Sequence, residues 1–134
     1  PVLIAKYLDA DTTGIALAGL GAFLGHLFPV FFGFAGGKGV ATSLGIFLAL
    51  NPLIAGSQVA VWALMALVFR YSSLAALVTA LATPVLLYWQ MDDPVLTGFG
   101  IILAALLVFR HRANIVRLVQ GNESKIQLKK RRQQ

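Results

Sequence analysis

Val40-Ala41-Thr42-Ser43-Leu44-Gly45-Ile46-Phe47-Leu48-Ala49-Leu50-Asn51-Pro52 is the stretch on which the topology turns. It is apolar until it stops at Asn-Pro, a pair that breaks helices. As a helix it is only about 20 Å long, against the roughly 30 Å of a bilayer's hydrocarbon core. It therefore either crosses as a short, tilted or partly re-entrant helix, or merely extends the helix that follows. Charge decides between the two. If it crosses, Lys38, Arg70 and the basic run from Arg110 to Arg132 fall on one side, and Asp9, Asp11, Asn51, Asp92 and Asp93 on the other. Ten of the eleven Lys and Arg then share a side, with Lys6 alone opposite. The positive-inside rule makes the basic side cytoplasmic. If it does not cross, Lys38 lands opposite the basic tail. The expectation is that it crosses.

The segments around it read the same way. Residues 33–39, Gly-Phe-Ala-Gly-Gly-Lys-Gly, are a loop, because so many glycines are expensive inside a helix. Residues 14–32 form an apolar span, uncharged apart from His26. Within it Gly21 and Gly25 form a small-xxx-small pair, expected to let two helices approach. Residues 1–8 are the tail of an apolar helix, and Thr12 or Thr13 is expected to cap the next one. Residues 53–69, 74–89 and 95–109 are further spans, separated by Arg70-Tyr71-Ser72-Ser73 and Gln90-Met91-Asp92-Asp93-Pro94. Residues 110–134 are polar and basic and lie outside the lipid.

Composition agrees. Hydrophobic residues make up 58% of the chain and charged ones 12%, against about 25% charged in soluble domains. A single domain of 134 residues has too small an interior to hide that much apolar surface. A bilayer removes the difficulty, and the mean hydropathy of +0.81 is in keeping with it. The fold class expected is an all-α polytopic transmembrane helix bundle with about five crossings, forming one integral-membrane domain with a basic C-terminal segment at 110–134. The net charge of +6 is a topology signal; so apolar a chain argues against nucleic acid as a partner. The absence of cysteine excludes disulfides and thiolate metal sites. The opening Pro-Val-Leu-Ile has no signal-peptide pattern and reads as cut from something longer.

Four places could carry chemistry. Gly36-Gly37-Lys38-Gly39 has the makings of an anion nest, in which backbone N–H groups converge beside a full positive charge. A helix starting at Val40 would add its dipole at the same point. It is not a Walker loop, which needs Ser or Thr after the lysine. The bland alternative is a membrane-edge turn with a snorkelling lysine. Arg110-His111-Arg112-Ala113-Asn114-Ile115-Val116-Arg117 puts His111, Asn114 and Arg117 on one helical face. Those groups suit an anionic, hydroxylated substrate, but equally a basic helix touching anionic headgroups. His26 is an ionisable residue inside a span, or a partner for backbone freed by Pro29. Ser73 is a binding hydroxyl, or a helix cap. Neither histidine has an acid five residues on, since Phe31 and Val116 stand there, and no Gly-x-Ser-x-Gly elbow occurs. Glu123 is the only acid on the basic side.

Taken together, these pieces resemble the acyl-phosphate-dependent glycerol-3-phosphate acyltransferases of bacterial inner membranes, the PlsY type. The resemblance runs through Gly25-His26-x-Phe28-Pro29 and Phe34-x-Gly36-Gly37-Lys38-Gly39-Val40-Ala41-Thr42. It resumes at Arg70-Tyr71-x-Ser73-Leu74 and closes with Arg110-His111-x-x-Asn114-Ile115-x-Arg117-Leu118-x-x-Gly121-x-Glu123-x-Lys125. It implies seven helices with a cytoplasmic active site, two of them before residue 1. It implies transfer of a fatty acyl group from acyl phosphate to the 1-hydroxyl of glycerol 3-phosphate, giving lysophosphatidic acid and phosphate for phospholipid synthesis. Lys38, His111 and Asn114 are then the catalytic residues. Gly36, Gly37, Lys38, Gly39 and Thr42 bind acyl phosphate; Ser73, His111, Asn114 and Arg117 bind glycerol 3-phosphate. His26 and Glu123 are further structural or functional candidates. No cofactor and no metal is implied. The partners implied are the two substrates, membrane lipid and an acyl-phosphate-producing enzyme. Two departures stand out: a Ser-Gly-Asn-x-Gly-Ala-Thr-Asn motif is missing from this sequence, and Ala35 replaces a frequent lysine. The rival from another class is a transporter or channel for a phosphorylated metabolite, for which broken helices are suited. Against it, no charge except His26 marks a path across the bilayer.

Overall fold

The computed structural model describes residues 1–29 and 36–127. Phe34 and Ala35 of the resemblance, the end of the 14–32 span and the basic residues Lys129 to Arg132 lie outside them. All regular structure among the described residues is helical: α1 (Val2–Tyr7), α2 (Thr12–Leu27), α3 (Val40–Leu50), α4 (Pro52–Phe69), α5 (Ser72–Met91), α6 (Pro94–Arg110) and α7 (Arg112–Val119). α4 and α5 are each long and apolar enough to cross a membrane alone. α6 and α7 pass the same test only as a pair, bent by 62°. α2 and α3, with 16 and 11 residues, are shorter apolar helices.

The local signals at the breaks explain the boundaries. Asn51 is extended, with φ −155° and ψ 114°, and its side chain accepts a hydrogen bond from Leu53 N at 2.9 Å. It thus ends α3 and caps α4, with Pro52 in the first turn where its missing N–H costs nothing. Asp93 does the same for α6, accepting from Val95 N and Leu96 N. At α2 the cap is Asp11, whose carboxylate accepts from Gly14 N at 2.8 Å; the expected Thr12 or Thr13 is already inside the helix. An ionised cap also meets the positive helix terminus more favourably than a hydroxyl.

α3 is a separate helix that runs between the same two ends of the bundle as its neighbours. At one end Lys6 Nζ, from α1, donates to Ala49 O and Leu50 O at 3.2 and 3.1 Å. There Asn51 Nδ2 lies 3.1 Å from Met91 Sδ at the end of α5. At the other end Lys38, Ser73 and His111 lie together. The lone opposite-side cation is thereby explained: Lys6 satisfies carbonyls at the α3 C-terminus.

The core is built from one face of each helix. Phe23, Leu27, Phe47, Ile54 and Leu87 are fully buried, and Phe47 packs obliquely on Phe99 at 5.9 Å between ring centroids. Leu17, Leu48, Leu64, Leu67, Ile101 and Trp89 stay exposed on the outer faces, the arrangement expected where lipid covers them. Polar links join α4 to α5: Gln58 to Thr83 at 2.9 Å and Gln90 to Ser57 at 3.0 Å. Among the described residues no helix approaches Gly21 or Gly25, the pair expected to bring two helices together. The tight contact is at Gly19, where a Cβ would stand 2.7 Å from the Phe99 ring of α6.

Candidate functional site

At the basic end, a cavity of about 380 Å³ is lined by Lys38, Val40, Trp62, Ser72, Ser73, Ala76, His111, Asn114, Glu123 and Ser124. Lys38 comes from the glycine loop, Ser72 and Ser73 from the first turn of α5, and His111 and Asn114 from the elbow between α6 and α7. An apolar groove of about 460 Å³ shares its Val40, Trp62 and Ala76. It runs between α3, α4 and α5, with Leu44, Val59, Ala80 and Leu107 in its walls. A polar chamber and an apolar groove thus meet at three shared residues.

His111 sits at the elbow and is almost wholly buried. Its Nδ1 lies 2.9 Å from Leu107 O. A carbonyl only accepts, so Nδ1 carries the proton and Nε2 of the neutral ring keeps its lone pair. Burial pushes the imidazole below its ordinary value, and the charge of Lys38 adds to this. The Leu107 bond and Glu123 pull the other way without reversing the direction.

Glu123 organises the opposite wall. α7 ends in a Schellman turn: Gly121 has φ +73°, Gly121 N donates to Leu118 O, and Asn122 N donates to Arg117 O at 2.8 Å. The chain doubles back and delivers the Glu123 carboxylate to three donors. Oε1 accepts from Ser73 Oγ and from Asn114 Nδ2, both at 2.6 Å, and Oε2 accepts from Arg117 Nε at 2.8 Å. Burial opposes the charge, but the three hydrogen bonds and the Arg117 cation outweigh it and hold the carboxyl at about 2. The strap is fastened again at Arg70, which sits in the left-handed region with φ 62°. Ile126 N donates to Arg70 O at 2.7 Å and Arg70 Nη2 donates to Ile126 O at 2.9 Å.

The glycine loop is held from two sides. A Cβ on Gly36 would collide with the Leu27 carbonyl, and one on Gly37 with the His26 ring. Gly39 has φ +84° and starts α3, with the Phe23 ring 2.6 Å from where a Cβ would lie. Only glycine fits there without strain. His26 is thus a packing partner of the loop rather than a lining residue of the chamber.

Of the residues singled out by sequence, Lys38, Ser73, His111, Asn114 and Glu123 meet in one chamber. Arg117 reaches it only through Glu123. Thr42 is inside α3 and does not line the chamber, nor do Gly36, Gly37 and Gly39. Ser73 is not a cap: Tyr71 holds that position and the hydroxyl bonds Glu123. Sequence reading missed Trp62, Ser72 and Ser124 as lining residues, for which no spacing signal exists, and gave Arg110 no role. Among the described residues no three His, Asp or Glu side chains gather as a metal site would need.

Comparison with known proteins bears on the same region. The family model described as glycerol-3-phosphate acyltransferase matches residues 1–121. A glycerol-3-phosphate acyltransferase of Halorhodospira halophila is 52% identical over 126 residues, covering 94% of this chain and 64% of the relative. One of Laribacter hongkongensis is 54% identical over 117 residues, covering 87% and 58%. The crystal structure of PlsY (YgiH), an integral membrane glycerol 3-phosphate acyltransferase, in its glycerol 3-phosphate form superposes with a TM-score of 0.89 at 39% identity, covering 95% of this chain and 64% of that one. Its lysophosphatidic acid form gives 0.88 at 40% identity, covering 93% and 64%. The chain therefore spans less than two thirds of the length of these relatives.

Proposed function

The chain belongs to the glycerol-3-phosphate acyltransferase family, and from that premise we propose that the protein acylates the 1-hydroxyl of glycerol 3-phosphate with acyl phosphate as donor, giving lysophosphatidic acid and inorganic phosphate. The observation that carries this reading is the junction of the polar chamber with the apolar groove at Val40, Trp62 and Ala76. A donor with an anionic head and a hydrocarbon tail needs both compartments and needs them joined. Membrane location follows from the apolar helices and the integral-membrane neighbour. The basic end is the cytoplasmic one in this reading.

Lys38 neutralises the acyl-phosphate head at the chamber wall. Ser73, Asn114 and His111 hold glycerol 3-phosphate, with Arg117 acting through Glu123. The substrate's O1 attacks the acyl carbon, the tetrahedral oxyanion is stabilised by Lys38, and phosphate departs with the electron pair of the cleaved C–O bond. Acyl phosphate is an activated mixed anhydride, so positioning and charge stabilisation supply most of the rate. The hydroxyl proton goes to His111 Nε2 or to the substrate's own phosphate, and a pH profile separates the two.

The test is lysophosphatidic acid formation by the full-length protein, with acyl phosphate and acyl-CoA offered separately. Product is expected from acyl phosphate alone, and Lys38→Ala is expected to lower kcat by roughly 100-fold or more. No product from either donor in folded protein would sink the reading. Saturable glycerol phosphate flux into vesicles would then favour a transporter.

A further inference from the structure

Arg110 stands in the basic run that a membrane edge would explain, yet its guanidinium is turned inward onto the glycine loop. Nη2 donates to Gly36 O at 2.8 Å and Nε donates to Gly37 O at 3.2 Å. The same cation lies 5.8 Å from the centroid of the Phe28 ring. Two bonds from one planar fork to two consecutive carbonyls fix the loop in rotation as well as in position. The loop has no slack on its other side, because Leu27 O and the His26 ring stand against Gly36 and Gly37.

The consequence follows from peptide geometry. In a trans peptide the N–H points opposite to the C=O of the same unit, and no cis peptide occurs among the described residues. With Gly36 O aimed at Arg110, the Gly37 N–H points away from it. With Gly37 O aimed there, the Lys38 N–H points away as well. The two carbonyl dipoles that would repel an anion are thus each turned towards a cation. Arg110 is also joined directly to His111, so one residue ties the lysine-bearing loop to the histidine-bearing elbow.

We propose that Arg110 is a positioning residue of this site: its fork on Gly36 O and Gly37 O holds the loop that presents Lys38 to the chamber and sets the spacing between Lys38 and His111. The proposal rests on the reading that the chamber receives a phosphorylated substrate. Arg110 is not among the residues that line the chamber.

The test uses the full-length protein with Arg110→Gln, Arg110→Lys, Lys38→Ala and the Arg110→Gln/Lys38→Ala pair. Arg112→Gln, whose side chain stacks on Phe109 instead, is the control and is expected to keep wild-type rates. Arg110→Gln is expected to lower kcat/KM for acyl phosphate roughly 10- to 100-fold, the scale of a misplacement of about 1 Å. The double variant is expected to fall well short of the product of the two single effects, because the lysine is misplaced once the clamp is gone. Arg110→Lys, a point charge without the fork, is expected between wild type and Arg110→Gln; it carries the test should Arg110→Gln not fold. Wild-type rates in Arg110→Gln, or single effects that simply multiply, overturn the proposal. Hydrogen exchange of the amides at 36–39 gives an answer independent of turnover. Faster exchange in Arg110→Gln but not in Arg112→Gln supports the clamp, and unchanged exchange overturns it. That readout stands even if the wild type makes no lysophosphatidic acid, a result that would instead sink the acyl-transfer reading.

Discussion

Glu123→Gln tests how the C-terminal strap is held. The carboxylate accepts three hydrogen bonds, two on Oε1 and one on Oε2. A glutamine keeps one carbonyl oxygen for Ser73 and Asn114 and presents an NH₂ group to Arg117 Nε, where donor meets donor. One charge-assisted bond is lost, worth about 1.5–3 kcal/mol. The carboxyl's position at about 2, against an ordinary 4.5, corresponds to about 3 kcal/mol in favour of the charged form. Because the Arg117 side chain is 46% exposed, solvent screening trims both figures, and about 1–2 kcal/mol is the expected loss. The sign with pH follows from the depressed value. The contribution is complete above 4.5 and is lost as pH falls through about 2, so stability rises with pH across that window. The assay is thermal unfolding in detergent from pH 2 to 7, with hydrogen exchange of residues 121–127 alongside. The variant is expected to unfold earlier at pH 7, to exchange faster in the strap, and to lose the acid-limb slope. Equal stability at pH 7 together with a wild-type slope would refute the assignment.

Two further substitutions address the elements on either side. Gly121→Ala places a side chain at φ +73° with nothing within 4 Å of it among the described residues, so the cost expected is backbone strain, about 1–2 kcal/mol. Faster exchange at 121–127, largely restored by Gly121→Asn, is expected, and an unaltered exchange pattern would count against the Schellman turn as the device that delivers Glu123. His111→Gln tests the proton acceptor. Burial holds the imidazole below 6.5, so if Nε2 takes the proton, the acid limb of kcat/KM lies below that value and disappears in the variant. A limb that survives with the same midpoint assigns the proton to the substrate's phosphate.

Much of the bundle was legible because its signals are local. Apolar runs, Asn51-Pro52 and Asp93-Pro94 mark helices and their ends within a few residues, and the Asn51-Pro52 break makes α3 a helix separate from α4. The misreadings share one cause. Thr12 or Thr13 is the cap expected where the structure uses Asp11, and Gly21 with Gly25 the contact expected where, among the described residues, Gly19 makes it. In each case several residues satisfy the same local rule, and the packing partner chooses among them. Phe99 of α6 selects Gly19, and nothing near residue 19 in the chain announces Phe99.

The candidate site divides along the same line. Lys38, His111 and Asn114 were legible because glycine-lysine and histidine-asparagine spacings are themselves local chemistry. Ser73 reads equally as a cap or a binding hydroxyl because its partner, Glu123, lies 50 residues away. Arg110 looked like a surface charge because the carbonyls it clamps lie 73 and 74 residues away. Sequence alone determined that this chain is an apolar helical bundle whose charges segregate along the chain, since hydropathy and charge act on each segment separately. Only the tertiary structure decided which wall each polar group joins, because a buried hydrogen bond between distant segments requires the helices to have packed first.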